Sequence, residues 1–308
     1  MNQQEFDELL PAIPREHHRA FTAWFVEYQD IISWDKFKDQ GYKPAEIARK
    51  DIEQHITKTT GNPKQLQLSF MPTSMGRTSP FFVMNKKDMT VRTMYQDFVI
   101  ENPWGKITVS GPRLSIFDES VLLALLALAK KHKSVVFSTS YSEICEQMDV
   151  SRGGGQYISI RDSISRLRKT STETLLTKGK QKEEVKSFAG SILNQVDQDF
   201  VKKKIDVSLN PHFLILYGAN LTTSLNMEER AKLKGDATKA MYRFLQTHSP
   251  SSHRFHLITL AHAVNIDVDQ PLKTIRKQLR ASLAELRKYG HVYRWSIDKN
   301  DNVNINRK

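Results

Sequence analysis

The stretch PLKTIRKQLRASLAELRKYG, residues 271–290, constrains this chain more than any other. Leu272, Ile275, Leu279, Leu283 and Leu286 recur every three or four residues, so they share one face of a 3.6-residue helix. Lys273, Arg276, Lys277, Arg280, Arg287 and Lys288 fall on the opposite face, and Glu285 is the one acidic residue. Pro271 suits the first helical turn, where its missing N–H is not needed, and Gly290 suits the C-terminal cap. Behind it, HVYRWSIDKNDNVNINRK alternates apolar and polar residues around Lys299-Asn300-Asp301-Asn302, the pattern of a β-hairpin. Ahead of it, residues 255–264 predict a short helix and 265–270 a turn.

A basic amphipathic helix alone fits an ordinary solvated surface. Helix, turn, basic helix and hairpin together are the order of a winged helix-turn-helix, whose second helix enters a DNA major groove. The same order recurs upstream. Residues 117–132 predict a core helix, 135–137 a short strand, and 140–148 a helix capped by Ser140 with Glu143 at the capping-box position. A turn over 149–154 leads to a second candidate reading helix over 155–169. Tyr157, Ile160, Ile164 and Leu167 form its inward face. Ser159, Asp162, Ser165, Arg166 and Lys169 lie opposite, with Arg161 and Arg168 on the flanks. Strands over 172–177 and 188–196 surround the basic tip Lys178-Gly179-Lys180-Gln181-Lys182, which reads as a wing for phosphates; 203–209 is a third strand. Residues 228–248 predict one helix, the counterpart of 117–132. The fold class expected is therefore α+β, with two tandem winged helix-turn-helix domains over 80–220 and 221–308.

Charge points the same way. The net charge is +12 over 308 residues. Residues 1–60 hold eight Lys/Arg and eleven Asp/Glu, so the remainder carries +15. A basic body suggests a polyanion, most often nucleic acid. No run of about 18 apolar residues exists, so no spanning helix is expected. The N-terminus has no signal-peptide pattern. Cys145 is the only cysteine and reads as core filler, so a disulfide-free cytoplasmic protein is expected.

Residues 1–58 predict a small acidic helical segment, with helices over 16–37 and 45–56. Residues 59–79 are rich in Thr, Ser, Gly and Pro and read as a linker. Within it, Gln65, Leu66, Leu68 and Phe70 form a Gln-x-x-Leu-x-Phe pattern. The spacing resembles the short motif by which bacterial replication proteins dock on the sliding clamp. The competing reading is a strand paired with the body. Residues 81–84 and 95–101 predict strands, with a turn at Pro103-Trp104-Gly105.

GPRLSIFDESVLLALLALAK, the FAGSIL strand, SLNP and LKGDATKAMYRFLQTH come in the order found in TrfA-type plasmid replication initiators. The resemblance runs from about residue 80 to the C-terminus. It implies binding to directly repeated double-stranded sites (iterons) at a plasmid origin, opening of AT-rich DNA, and contact with the single strands. It also implies host partners (sliding clamp, replicative helicase and host initiator) and a homodimer that limits copy number. Two rival readings are a winged-helix transcriptional regulator and a rolling-circle nickase. No P-loop is present, Gly153-Gly154-Gly155 lacks the following Lys, and His253 and His256 lack the His-x-His spacing of nickases. The expectation is thus no enzyme, no cofactor and no metal. The DNA-contact candidates are Arg152, Gln156, Ser159, Arg161, Ser165, Arg166, Arg168, Lys169, Lys178, Lys180, Lys182, Lys273, Thr274, Arg276, Lys277, Gln278, Arg280, Arg287, Lys288 and Lys299. Arg161, Arg166, Arg276, Arg280 and Gln278 are the candidate base readers, because Arg commonly pairs with guanine and Gln with adenine.

Overall fold

The computed structural model describes residues 68–84, 95–132, 134–178, 183–199, 204–210 and 222–307. The helices expected over 16–37 and 45–56, the residues Gln65 and Leu66, the Lys180 and Lys182 tip and the helix start at Pro211 lie outside them. The described chain begins with β1 (Leu68–Pro72), α1 (Thr73–Arg77), β2 (Phe81–Phe82), β3 (Tyr95–Asn102), β4 (Gly105–Pro112) and β5 (Leu114–Ser115). A first unit follows: α2 (Ile116–His132), β6 (Val136–Thr139), α3 (Tyr141–Met148), α4 (Gly154–Lys169), β7 (Ser171–Lys178), β8 (Glu183–Ser191), β9 (Leu193–Asp199) and β10 (Lys204–Leu209). After β11 (Thr222–Asn226) and α5 (Met227–Lys232), the second unit runs α6 (Asp236–Gln246), β12 (Ser252–His256), α7 (Leu257–Ala263), α8 (Leu272–Lys288), β13 (Arg294–Ile297) and β14 (Asn302–Asn306).

Both units share one plan. A core helix, a strand, two helices and a strand pair come in that order, and the pair closes on the first strand. The resulting antiparallel sheets run β6-β10-β9 and β12-β14-β13. Helix α2 has no polar face; Val121 to Leu125 are fully buried, as expected of a helix apolar all round. Helix α3 starts as its capping box predicts, with the Ser140 side chain accepting from the Glu143 N–H at 3.2 Å. Asp149 then ends it in the left-handed conformation, φ 53°.

The tip at Lys178 does not belong to the strand pair that closes on β6. Hairpin β7–β8 is inserted between α4 and β9 and joins a separate sheet, β3-β4-β7-β8. The strand expected over 188–196 is really two. Gly190, at φ 156°, takes a conformation open chiefly to glycine, and fully buried Ile192 carries the chain from one sheet to the other.

Two further expectations are corrected. Residues 68–77 are not a linker: β1 pairs antiparallel with β11, Leu68 opposite Asn226 and Phe70 opposite Ser224. Met71 and Met75 are buried, and Arg77 donates to the Thr247 carbonyl at 2.7 Å. Burial of the two methionines wins over the local Thr, Ser and Gly composition. The helix expected over 228–248 breaks into α5 and α6, because the intervening loop is held by α8. Glu285 accepts from the Lys234 N–H and from the Thr238 hydroxyl, both at 2.7 Å. The single acid of the basic helix is thus an anchor for its neighbour.

One core runs through both units, and a buried charge cluster joins their first helices. Glu119 on α2 accepts from Arg243 Nη1 on α6 at 2.7 Å and lies 3.5 Å from Arg230 Nη2 on α5. All three side chains are at most 2% exposed. Burial pushes the Arg243 guanidinium below its ordinary value, and Glu119 pushes back. Farther along the contact, Trp104 at the β3–β4 turn meets Phe244 and Phe255 edge-on. Asn265 donates to the Ser79 and Phe81 carbonyls.

Candidate nucleic-acid interface

Helix α8 places its apolar stripe as its spacing predicts. Ile275, Leu279, Leu283 and Leu286 are buried, while Leu272 is 38% exposed at the first turn. Pro271 is the cap residue rather than the first helical one, and Gly290 sits just beyond the end at φ 79°. Burying the stripe turns Lys273, Lys277 and Arg280 to solvent.

These cations face the hairpin β13–β14 across a groove of about 580 Å³. It is lined by Lys273, Arg276, Lys277, Arg280, Ile297, Asp298, Lys299 and Asp301. Arg276 crosses it: Nε and Nη2 donate to the two Asp301 carboxylate oxygens, both at 2.7 Å. The bridge holds the Asp301 carboxyl below its usual range and the guanidinium above its own. Among the described residues, Lys273, Lys277, Arg280 and Lys299 have no carboxylate partner. Gln278 exchanges hydrogen bonds with Gln270 at 3.1 and 3.5 Å, so its amide is engaged within the protein. Thr274 is half-buried. Arg287 and Lys288 are exposed in the last turn and do not line the groove.

The turn that carries Asp301 is built by its own side chains. Asp298 Oδ1 accepts from the N–H groups of Asn300 and Asn302 at 2.8 and 2.9 Å, an Asx-type turn. Asp301 adopts φ 59°, and its carbonyl accepts from Leu257 N at the start of α7. The hairpin is therefore tied to the helix that precedes α8 as well as to α8.

Helix α4 is more mixed. Arg166, expected to face outward, is buried: it makes a bidentate pair with fully buried Asp118 on α2, with its shortest contact at 2.7 Å. It sits at the margin of the apolar face, and Asp118, which caps the start of α2 by accepting from Ser115 N at 2.7 Å, draws it inward. Ser163 is buried beside it. Arg161 pairs with Asp162 and Arg152 with Glu146, both at 3.3 Å and both exposed. Ser159 donates back to the Gly155 carbonyl. Arg168 and Lys169 are exposed, and Gln156 and Ser165 half-buried. A Cβ at Gly153, Gly154 or Gly155 would have no neighbour within 4 Å, so the entrance to α4 is open.

Two features escaped the sequence reading. Ile158 is 53% exposed on the same helix, an apolar group among polar ones. The sequence run Lys202-Lys203-Lys204 leads into β10. Of these, Lys204 is described, 3.1 Å from Asp206. Strands β9 and β10, not β7 and β8, share the sheet that contains β6. Among the described residues, no group of three or more His, Cys, Asp or Glu is placed to hold a metal. Nor is any helix among them long and apolar enough to cross a membrane. Asp267 caps its turn by accepting from Asp269 N at 3.0 Å.

Residues 106–246 match the family model described as Initiator Replication protein, WH1. No curated protein matches the chain. Among solved structures, domains 2 and 3 of RctB are similar at 15% identity and a TM-score of 0.53, covering 77% of this chain and 98% of that one. This likeness shows a shared fold. A Pi initiator protein crystallised with iteron DNA is similar at 11% identity and a TM-score of 0.49, covering 78% of this chain and 96% of that one.

Proposed function

From the premise that residues 106–246 match the initiator replication proteins, we propose that this chain starts plasmid replication by binding repeated duplex sites through two tandem winged helices. In this reading α8 and α4 enter major grooves, and the turn after β13 lies along the flanking backbone. The observation that carries it is the groove between α8 and its wing. There five basic side chains converge on a face that the protein leaves open. Each phosphate that a Lys or Arg neutralises releases counterions, which supplies sequence-independent affinity, and base edges supply the choice of site.

The protein acts by binding rather than by catalysis, in the bacterial cytoplasm, on plasmid DNA. Opening of AT-rich DNA, recruitment of the host clamp, replicative helicase and initiator, and a homodimeric form belong to the same proposal. Clamp docking through Leu68 and Phe70 would use a strand paired with β11 rather than a free linker. Footprinting the protein on DNA flanking its own gene tests the function. Evenly spaced protected repeats support it; uniform, unspaced protection rejects it.

A further inference from the structure

We propose that Arg276 reads a guanine, and that Asp301 on the wing is the positioning residue that holds its guanidinium end-on to the base. The proposal rests on the DNA-binding reading above and assigns one chemical role within it.

The geometry carries three arguments. First, the carboxylate engages one edge of the guanidinium. Nε and one N–H of Nη2 donate to Asp301. Nη1 has no partner among the described residues, so Nη1 and the remaining N–H of Nη2 form a free fork on the groove side. That fork matches two acceptors side by side. In the major groove only guanine offers such a pair, O6 and N7; adenine sets an amino donor beside N7, and cytosine presents a donor.

Second, the surroundings disfavour a phosphate at this position. Asp301 and Asp298 both line the groove beside Arg276. A phosphate drawn to the guanidinium would stand against two carboxylates of its own sign. A neutral base edge meets no such repulsion. The phosphate contacts fall instead to Lys273, Lys277 and Lys299, which have no acidic partner among the described residues.

Third, the positioning group is itself fixed. Asp301 is held in the left-handed region, with its N–H bonded to the Asp298 carbonyl at 3.1 Å and its carbonyl bonded by Leu257 N at 2.8 Å. An arginine held in advance loses less side-chain freedom on binding than a free one. The wing therefore contributes to base choice without touching the base.

The test is selection of binding sites from a random duplex library with the full chain, alongside Arg276→Lys and Asp301→Asn. The wild type is expected to enrich a motif with one guanine whose replacement by 7-deazaguanine weakens binding roughly tenfold or more. Arg276→Lys should lose the preference at that position and keep the rest of the motif. Asp301→Asn should relax the same position, with its thermal midpoint checked beside the wild type. If either variant binds every sequence more weakly but keeps the whole motif, Asp301 is a wing fastener only and the proposal is wrong. A wild-type motif without a guanine that depends on Arg276 also overturns it. If the wild type enriches no motif at all, the DNA-binding reading itself fails, which is a different result.

Discussion

Replacing Glu119 with Ala should cost the protein about 3–5 kcal/mol, the range for breaking a buried ion pair by removing one partner. The side chain is fully buried, and it is the carboxylate that Arg243 and Arg230 share. Their other bonds are neutral: Arg243 Nε to the Gly76 carbonyl at 3.3 Å, and Arg230 Nη1 to the Ser120 hydroxyl at 2.6 Å. Without Glu119, two guanidiniums stay in the interior with no equivalent compensation. Against a total stability of about 5–15 kcal/mol, the loss is a large fraction. Urea unfolding of the full chain measures it. With a slope of about 3 kcal/mol per molar, the midpoint falls by about 1–2 M. Changing all three residues together to apolar ones of similar size should restore most of the loss, because a buried pair contributes little net stability over a well-packed apolar replacement. A loss below about 1 kcal/mol for Glu119→Ala would show that water already screens the cluster, and the joint between the units would have to lie elsewhere.

Arg166→Ala should act on stability, not on base choice. It takes the bidentate guanidinium away from buried Asp118, at a cost of about 3–5 kcal/mol by denaturant unfolding, with the selected DNA motif unchanged. Ile158→Ala should leave the unfolding midpoint alone, since the side chain is half exposed, yet weaken binding by about 1–2 kcal/mol where it covers a thymine methyl. Deoxyuridine in place of thymine should remove that difference, and an unchanged difference would rule the contact out. Changing both Leu68 and Phe70 to Ala should abolish binding to a sliding clamp in a pull-down while DNA binding persists; retained clamp binding would remove these residues from that role.

What the sequence showed were the features set by residues close together in the chain. The stripe of α8, the Ser140–Glu143 cap and the alternation around Asp301 depend on spacings of two to four residues, and each holds in the structure. What it hid were partners far apart. Nothing near Arg166 announces Asp118, which lies 48 positions earlier, so a position on the margin of the wheel read as outward. Likewise β1 pairs with a strand some 150 residues away, and β7–β8 leaves its unit to join β3 and β4, neither of which carries a local signal. The split of the expected helix at 233–235 depends on Glu285, fifty residues on. In the interface, the basic groove was legible because solvent-facing cations follow from the apolar stripe. The Arg276–Asp301 bridge was not, since it needs the wing folded against the helix.

In the proposed complex the lysines between α8 and the β13–β14 hairpin lie against DNA phosphates. The decisive comparison is the dependence of binding on salt concentration for the wild type and for a Lys273→Ala, Lys277→Ala, Lys299→Ala triple variant. If those side chains neutralise phosphates, the slope of log affinity against log salt should become shallower by about 3, near one for each side chain removed. A triple variant with the wild-type slope and affinity would place the DNA on another face of the protein.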